Sequence, residues 1–186
     1  MKKVELHKDV FIIENFLSTE ECKDFIQKSE EIGFEEAKVQ VGNNKQAMLK
    51  GVRNNDRILN HNPALAVNMY EKAKEYLPHT TGLYEICGLN ELFRFYKYIP
   101  GQRFKMHRDG SFVRNEKEES FYTFMIYLND DFEGGETEFE SICTIKPKTG
   151  DLLVFLHPLR HEGKAVLNGI KYVLRSDVMY KLSENE

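Results

Sequence analysis

From about Leu89 onward the chain is a succession of short apolar or alternating runs, each closed by a turn signal, and this texture narrows the fold more than any other feature. The runs cover residues 92–98, 104–107, 121–128, 136–139, 141–145, 152–156, 161–166 and 172–180. Between them stand Pro100-Gly101, Asp130-Asp131, Gly134-Gly135, Pro147 with Thr149-Gly150, and Asn168-Gly169. Each of these pairs favours a tight reversal over continuation of a strand or helix. Many short strands without intervening helices call for an antiparallel architecture that closes on itself, as a jelly roll does.

The first half reads differently. Residues 10–16 form a short strand leading to Ser18, which caps a helix, with Glu21 completing the capping-box pattern. Cys22, Phe25, Ile26 and Ser29 give that helix one buried face, and Gly33 ends it. A second helix is predicted over 63–76, with Pro63 in its first turn, Leu65, Met69, Ala73 and Tyr76 at helical spacing, and Pro78 beyond its end. Between the helices, residues 42–57 read as a long polar connection, interrupted only by Ala47-Met48-Leu49. The expected fold is therefore α+β, mainly β: a double-stranded β-helix (jelly roll) with N-terminal helices packed on one sheet. Residues 1–88 form the helical support and 89–182 the double-stranded β-helix core, together one domain over 1–186.

Composition bounds the function. A formal net charge of −4 over 186 residues gives no broad basic face, which argues against nucleic acid as a partner. No apolar stretch is long enough to span a membrane, and no apolar run follows Lys2-Lys3, so neither a membrane anchor nor a secretory signal is read. Cys22, Cys87 and Cys143 are odd in number and far apart, which suits reduced thiols and a cytoplasmic setting.

The chemistry gathers around His107-Arg108-Asp109, His161 and Lys171. Residues two apart on a strand point to the same face, so His107 and Asp109 can aim at one point. With a distal His161 they form the two-imidazole, one-carboxylate set that holds non-haem Fe(II) and leaves coordination positions open. His157 shares strand parity with His161 and is a rival distal ligand, whereas His7, His61 and His79 have no partners in the pattern. On the last strand Lys171, Val173, Arg175, Asp177 and Met179 share one face. A cation there needs an anion, and either Lys171 or Arg175 can grip the distal carboxylate of 2-oxoglutarate, Arg as a fork and Lys as a point charge with a helper hydroxyl. The bland alternatives are that Arg175 pairs with Asp177 and that Lys171 snorkels outward. Tyr98 and Tyr127 are candidate helpers and equally good core aromatics.

Ordered motifs over the second half then carry a resemblance. They are Arg94-Phe95-Tyr96-Lys97-Tyr98, Pro100-Gly101-Gln102-Arg103-Phe104 running into His107-Arg108-Asp109-Gly110, and Tyr127-Leu128-Asn129. Phe132-Glu133-Gly134-Gly135-Glu136-Thr137, Pro147-Lys148-Thr149-Gly150-Asp151, and His161-Glu162-Gly163 through Gly169-Ile170-Lys171-Tyr172-Val173-Leu174-Arg175 follow. Together they resemble the prolyl 4-hydroxylase-like group of Fe(II)/2-oxoglutarate dioxygenases. The resemblance implies that His107, Asp109 and His161 hold iron, that Lys171 takes the C5 carboxylate of 2-oxoglutarate, and that Tyr98 and Tyr127 support the same co-substrate. Arg175 departs from that pattern and is a second possible anchor. The implied reaction uses Fe(II), 2-oxoglutarate and O2, with ascorbate as reductant, to hydroxylate a C–H bond while releasing succinate and CO2. The implied substrate is a prolyl residue of a protein or peptide, or a small molecule. Two other readings stay open: a non-catalytic jelly-roll metal-binding or sensor module, and an oxidative nucleic-acid demethylase. Segments 42–57 and 111–120 are candidate substrate covers, with Arg53 and Arg57 as candidate contacts.

Overall fold

The computed structural model describes residues 1–36 and 54–183, together with the backbone of the strand pair Val39–Gln40 and Gln46–Ala47. Most of the expected polar connection, Arg53 included, lies outside the described residues. In chain order the principal elements are β1 (Lys2–His7), β2 (Val10–Glu14), α1 (Thr19–Ile32), β3 (Asp56–His61), α2 (Pro63–Ala73) and β4 (Tyr84–Leu89). There follow β5 (Leu92–Tyr98), β6 (Phe104–His107), β7 (Glu118–Tyr127), β8 (Thr137–Phe139), β9 (Cys143–Ile145) and β10 (Leu152–Leu156). The last three are β11 (His161–Gly163), β12 (Val166–Asn168) and β13 (Lys171–Leu182).

Two sheets face each other. The larger runs β1-β2-β10-β7-β13-β5-β3, all neighbours antiparallel, with β4 pairing along the far half of β13. The smaller is β6-β11-β8-β9. This is the mainly antiparallel jelly-roll arrangement, with both helices on the outer face of the larger sheet.

The larger sheet is covered on both faces, so its central strands are apolar at consecutive positions rather than strictly alternating. Phe93 and Phe95 of β5, Phe124 and Ile126 of β7, Leu152 and Val154 of β10, and Leu174 and Val178 of β13 form one core with Cys22 of α1 and Ala66, Met69 and Ala73 of α2. The alternate residues, Tyr96, Tyr98, Tyr127, Leu153, Phe155 and Val173, face the smaller sheet and pack on Phe139 and Ile145. The side-chain period of two therefore sends every second residue of β5, β7 and β13 into the space between the sheets.

Local signals place α1 well. Ser18 Oγ accepts from Glu21 N at 3.1 Å and Glu21 Oε2 accepts from Ser18 N at 2.7 Å, satisfying two otherwise orphaned donors. The entry to α1 is pinned by Leu17 N donating to Gly150 O at 3.0 Å. Gly150 has φ +82°, and a Cβ there would lie 2.1 Å from Leu17 O, so only glycine permits this approach.

Four sequence expectations need correction. Residues 56–57 were assigned to the polar connection, yet Arg57 lies in β3, paired with Tyr96 of β5. The first half is not only helical support, since β1, β2, β3 and β4 all extend the larger sheet. The run 161–166 is two strands in two different sheets: the chain leaves β11 after Gly163, and Val166 turns to pair with Gly134. The second helix stops at Ala73 rather than Tyr76, three residues after which Tyr76 N donates to Ala73 O in a final turn.

Candidate active site

β6 and β11 are neighbours in the smaller sheet, in a register that sets His107 directly opposite His161. Asp109, two residues past His107, is held at the strand end by its own N–H donating to His157 O at 3.1 Å. The result is a tight cluster: ligand atoms of His107, Asp109 and His161 all lie within 4.8 Å of one another. His107 Nε2 is 3.6 Å from Asp109 Oδ1, and His161 Nε2 is 3.7 Å from Asp109 Oδ2.

The ring tautomers follow from the other nitrogens. His107 Nδ1 lies 2.7 Å from Lys105 O and His161 Nδ1 lies 3.0 Å from Leu159 O. A carbonyl can only accept, so each neutral ring carries its proton on Nδ1 and turns the Nε2 lone pair toward the carboxylate. Burial pushes His161 down to about 4 against the opposing pull of Asp109, so the ring is neutral at pH 7. Burial alone would raise Asp109, yet the Arg175 guanidinium holds it well below the usual carboxylate range. Two imidazole nitrogens and a carboxylate converge as a group that could hold a divalent cation, and the donor set fits Fe(II).

Behind Asp109 runs a hydrogen-bonded chain whose direction can be assigned. Thr123 Oγ1 donates to Asp109 Oδ2 at 2.6 Å, so it must accept from His157 Nδ1, 3.0 Å away. His157 Nε2 then accepts from Ser120 Oγ at 2.9 Å, and Ser120 Oγ accepts from Phe112 N at 2.8 Å. His157, the rival distal ligand, thus has both nitrogens committed and stands behind the cluster rather than in it. Rings of Phe104 and His107 stack at 3.5 Å with planes 16° apart, and His161 packs against Phe155 and Phe139 at 4.5 and 5.5 Å. The imidazoles are therefore fixed by packing as well as by hydrogen bonds.

Lys171 opens β13, opposite Tyr98 of β5, and lines the same pocket as the cluster. It is buried, contrary to the snorkelling alternative, with Nζ donating to Gly135 O at 2.6 Å and lying 5.5 Å from the centroids of both Tyr98 and Tyr127. Burial lowers its pKa to about 8, with Glu136 pulling the other way. Among the described residues it has no ion-pair partner, so a buried cation faces the small pocket, about 40 Å³, that it shares with the cluster. Tyr98 lines that pocket; the Tyr127 hydroxyl is engaged with Thr137 Oγ1 at 2.7 Å. Arg175 also reaches the pocket, but its fork is taken up by Asp109 Oδ1 at 3.1 Å and Asp177 Oδ1 at 3.4 Å.

Thr123, Ser120 and Phe104 were not singled out from the sequence. Strand parity puts Thr123 with Met125 on the inward face of β7, which was the one available signal.

The comparisons agree with this geometry. Residues 93–176 match the 2OG-Fe(II) oxygenase superfamily model, a span containing every residue discussed above as a candidate ligand or anchor. A curated relative from Acanthamoeba polyphaga mimivirus, "Putative prolyl 4-hydroxylase", is 32% identical over 96 residues, 41% of this chain and 40% of that protein. The match thus spans well under half of that relative's length. Among solved structures, the viral collagen prolyl hydroxylase vCPH of Paramecium bursaria Chlorella virus-1 superposes with a TM-score of 0.67 at 23% identity, covering 94% of this chain and 97% of that one. A Trichoplax adhaerens prolyl hydroxylase, solved with a hypoxia inducible factor peptide, gives 0.71 at 18% identity, covering 91% and 83%. At such identities the structural likeness speaks to fold. The motifs, the jelly roll and the match over 93–176, just under half of the chain, make this protein similar to the 2OG-Fe(II) oxygenase superfamily.

Proposed function

We propose that this protein is an Fe(II)- and 2-oxoglutarate-dependent dioxygenase that hydroxylates a C–H bond of a prolyl residue in a protein or peptide, its whole length acting as one domain. The observation that carries the reading is the pairing of a His107–Asp109–His161 donor cluster with a buried Lys171 that has no ion-pair partner among the described residues, both lining one pocket. In this reading His107, Asp109 and His161 hold Fe(II), and Lys171 receives the distal carboxylate of 2-oxoglutarate with Tyr98 beside it. When bound, iron, 2-oxoglutarate and O2 supply the oxidative chemistry, yielding succinate, CO2 and a hydroxylated substrate.

The chain's own part is placement and exclusion. Phe104, Phe155 and Met125 make the walls of the pocket apolar around the cluster, which keeps bulk water from the reacting centre. Asp109 fills the position that a smaller residue would leave to a halide, which favours hydroxylation. Choice of a prolyl substrate is supported by the relatives' names; ascorbate as reductant is supported by the family resemblance alone. No helix among the described residues is long and apolar enough to cross a membrane, and all three cysteines are free, which supports a cytoplasmic setting. The acidic net charge weighs against a nucleic-acid substrate, and a buried Lys171 with no ion-pair partner among the described residues weighs against a module that keeps metal without co-substrate.

Incubation with Fe(II), 2-oxoglutarate, ascorbate and proline-containing peptides under air tests the proposal. Succinate release matched by one added oxygen on a peptide is expected. Succinate without any peptide product would move the substrate to another class, and no succinate at all would overturn the oxygenase reading.

A further inference from the structure

Arg175 shares the inward face of β13 with Lys171, yet its surroundings set it apart as a charge built into the metal cluster rather than waiting for a ligand. Its Nη1 forms an ion pair with Asp109 Oδ1 at 3.1 Å, and its Nη2 donates to Asp177 Oδ1 at 3.4 Å. On the other side of Asp177, Arg94 Nη1 donates to Oδ2 at 3.0 Å, and Asn90 Nδ2 donates to the same oxygen at 3.1 Å. From β5 to the cluster the charges therefore alternate: Arg94, Asp177, Arg175, Asp109. Cross-strand register enforces the order, because Arg175 stands opposite Arg94 on one side and Met125 on the other.

Such a residue is costly to keep. Among the described residues Arg175 Nε is buried without a hydrogen-bond partner, although Tyr96 also interacts with the guanidinium. Buried ion pairs of this kind are often replaced by apolar side chains without loss of stability, and a methionine would fill a similar volume. Stability alone does not explain its presence; its contact with the ligand carboxylate does. Thr123 engages Oδ2 and Arg175 engages Oδ1, so neither oxygen of Asp109 can swing away from the two imidazoles. Repulsion between a guanidinium and a divalent cation would oppose metal binding, and Asp177, shared with Arg94, offsets part of that charge. What reaches the metal site is the close charge contact that Nη1 makes with Asp109 Oδ1.

We propose that Arg175 is a positioning residue, which holds the Asp109 carboxylate in its metal-ligating orientation from the side opposite Thr123. The proposal rests on the Fe(II)-site reading above. Outer partners of metal ligands typically contribute about 10- to 100-fold in affinity.

The test is a titration with Co(II) as an oxygen-stable probe, followed by its visible absorption, in wild type, R175Q and R175K, with thermal unfolding of each metal-free protein. Wild type is expected to bind Co(II). R175Q should bind about 10- to 100-fold more weakly, with a displaced absorption spectrum. R175K should recover part of the affinity, since one ammonium can reach Asp109 but cannot bridge both carboxylates. Wild-type affinity and spectrum in both variants would overturn the proposal, as would a lowered unfolding temperature with unchanged Co(II) binding. If R175Q fails to fold, R175K carries the same comparison. Failure of the wild type itself to take up Co(II) would instead overturn the metal-site reading, and the positioning role would fall with it.

Discussion

His161→Ala is expected to abolish iron-dependent consumption of 2-oxoglutarate while leaving the jelly roll folded. Losing one of three ligands removes several kcal/mol of metal-assisted stabilisation, about a thousandfold or more in rate. The structural cost is smaller. His161 is buried against Phe155, Phe139 and His107, so truncation leaves a cavity worth about 2–4 kcal/mol. No charged partner is orphaned, because the only other hydrogen bond its ring makes is to Leu159 O. Asp109→Ala should be equally inactive but less stable, since it strands a buried Arg175, and losing one member of a buried pair typically costs about 3–5 kcal/mol. Circular dichroism and 2-oxoglutarate turnover, measured together, check both statements. Unchanged turnover in His161→Ala would remove it from the site. The same variant carries a pH signature. The folded-state pKa of His161 is about 4 against an ordinary 6.5, so on acidification the unfolded chain takes the proton first. Wild-type stability therefore falls as pH drops through that window, and His161→Ala should fall less steeply.

Lys171→Ala is the second large effect, and it separates co-substrate binding from metal binding. Removing one partner of a buried, hydrogen-bonded charge pair costs about 2–5 kcal/mol, so the 2-oxoglutarate KM should rise about 30-fold or more while metal affinity holds. Arg175→Ala should show the reverse balance, with weaker metal binding and a smaller change in KM at saturating metal. A larger KM effect at Arg175 would transfer the anchor there. In the proposed site the ammonium form of Lys171 is the one that takes the co-substrate carboxylate, and burial lowers its pKa to about 8. Affinity for 2-oxoglutarate should accordingly be flat below neutrality and decline as pH rises past that value, a dependence that Lys171→Ala should lose.

Legibility in the sequence varied with the kind of contact involved. β5, β6 and β10 lie where the runs 92–98, 104–107 and 152–156 end, because turn residues bound each run sharply. The capping box set the start of α1. β1 and β3 went unread because they are outer strands with little burial: β3 buries only Ile58 among its six residues, so its alternation is mostly polar. The cluster itself was legible, since the His-x-Asp spacing fixes two donors locally and the motif order supplies the third. Its supports were not. The chain from Ser120 through His157 to Thr123 depends on β7 meeting β10 in a particular register, Thr123 opposite Phe155, which no single-strand pattern contains. The parity of β13 put Lys171 and Arg175 on one face but carried no information on what stands across from each. Only the pairing with β5, which sets Lys171 against Tyr98 and Arg175 against Arg94, distinguishes a waiting cation from one already engaged.

The central claim, that the cluster and Lys171 form one site for iron and 2-oxoglutarate, is tested most directly by anaerobic titration of Fe(II) and 2-oxoglutarate together. The weak visible metal-to-ligand charge-transfer band should appear in wild type and be absent from His161→Ala. Iron bound by the wild type without that band on adding 2-oxoglutarate would contradict the account.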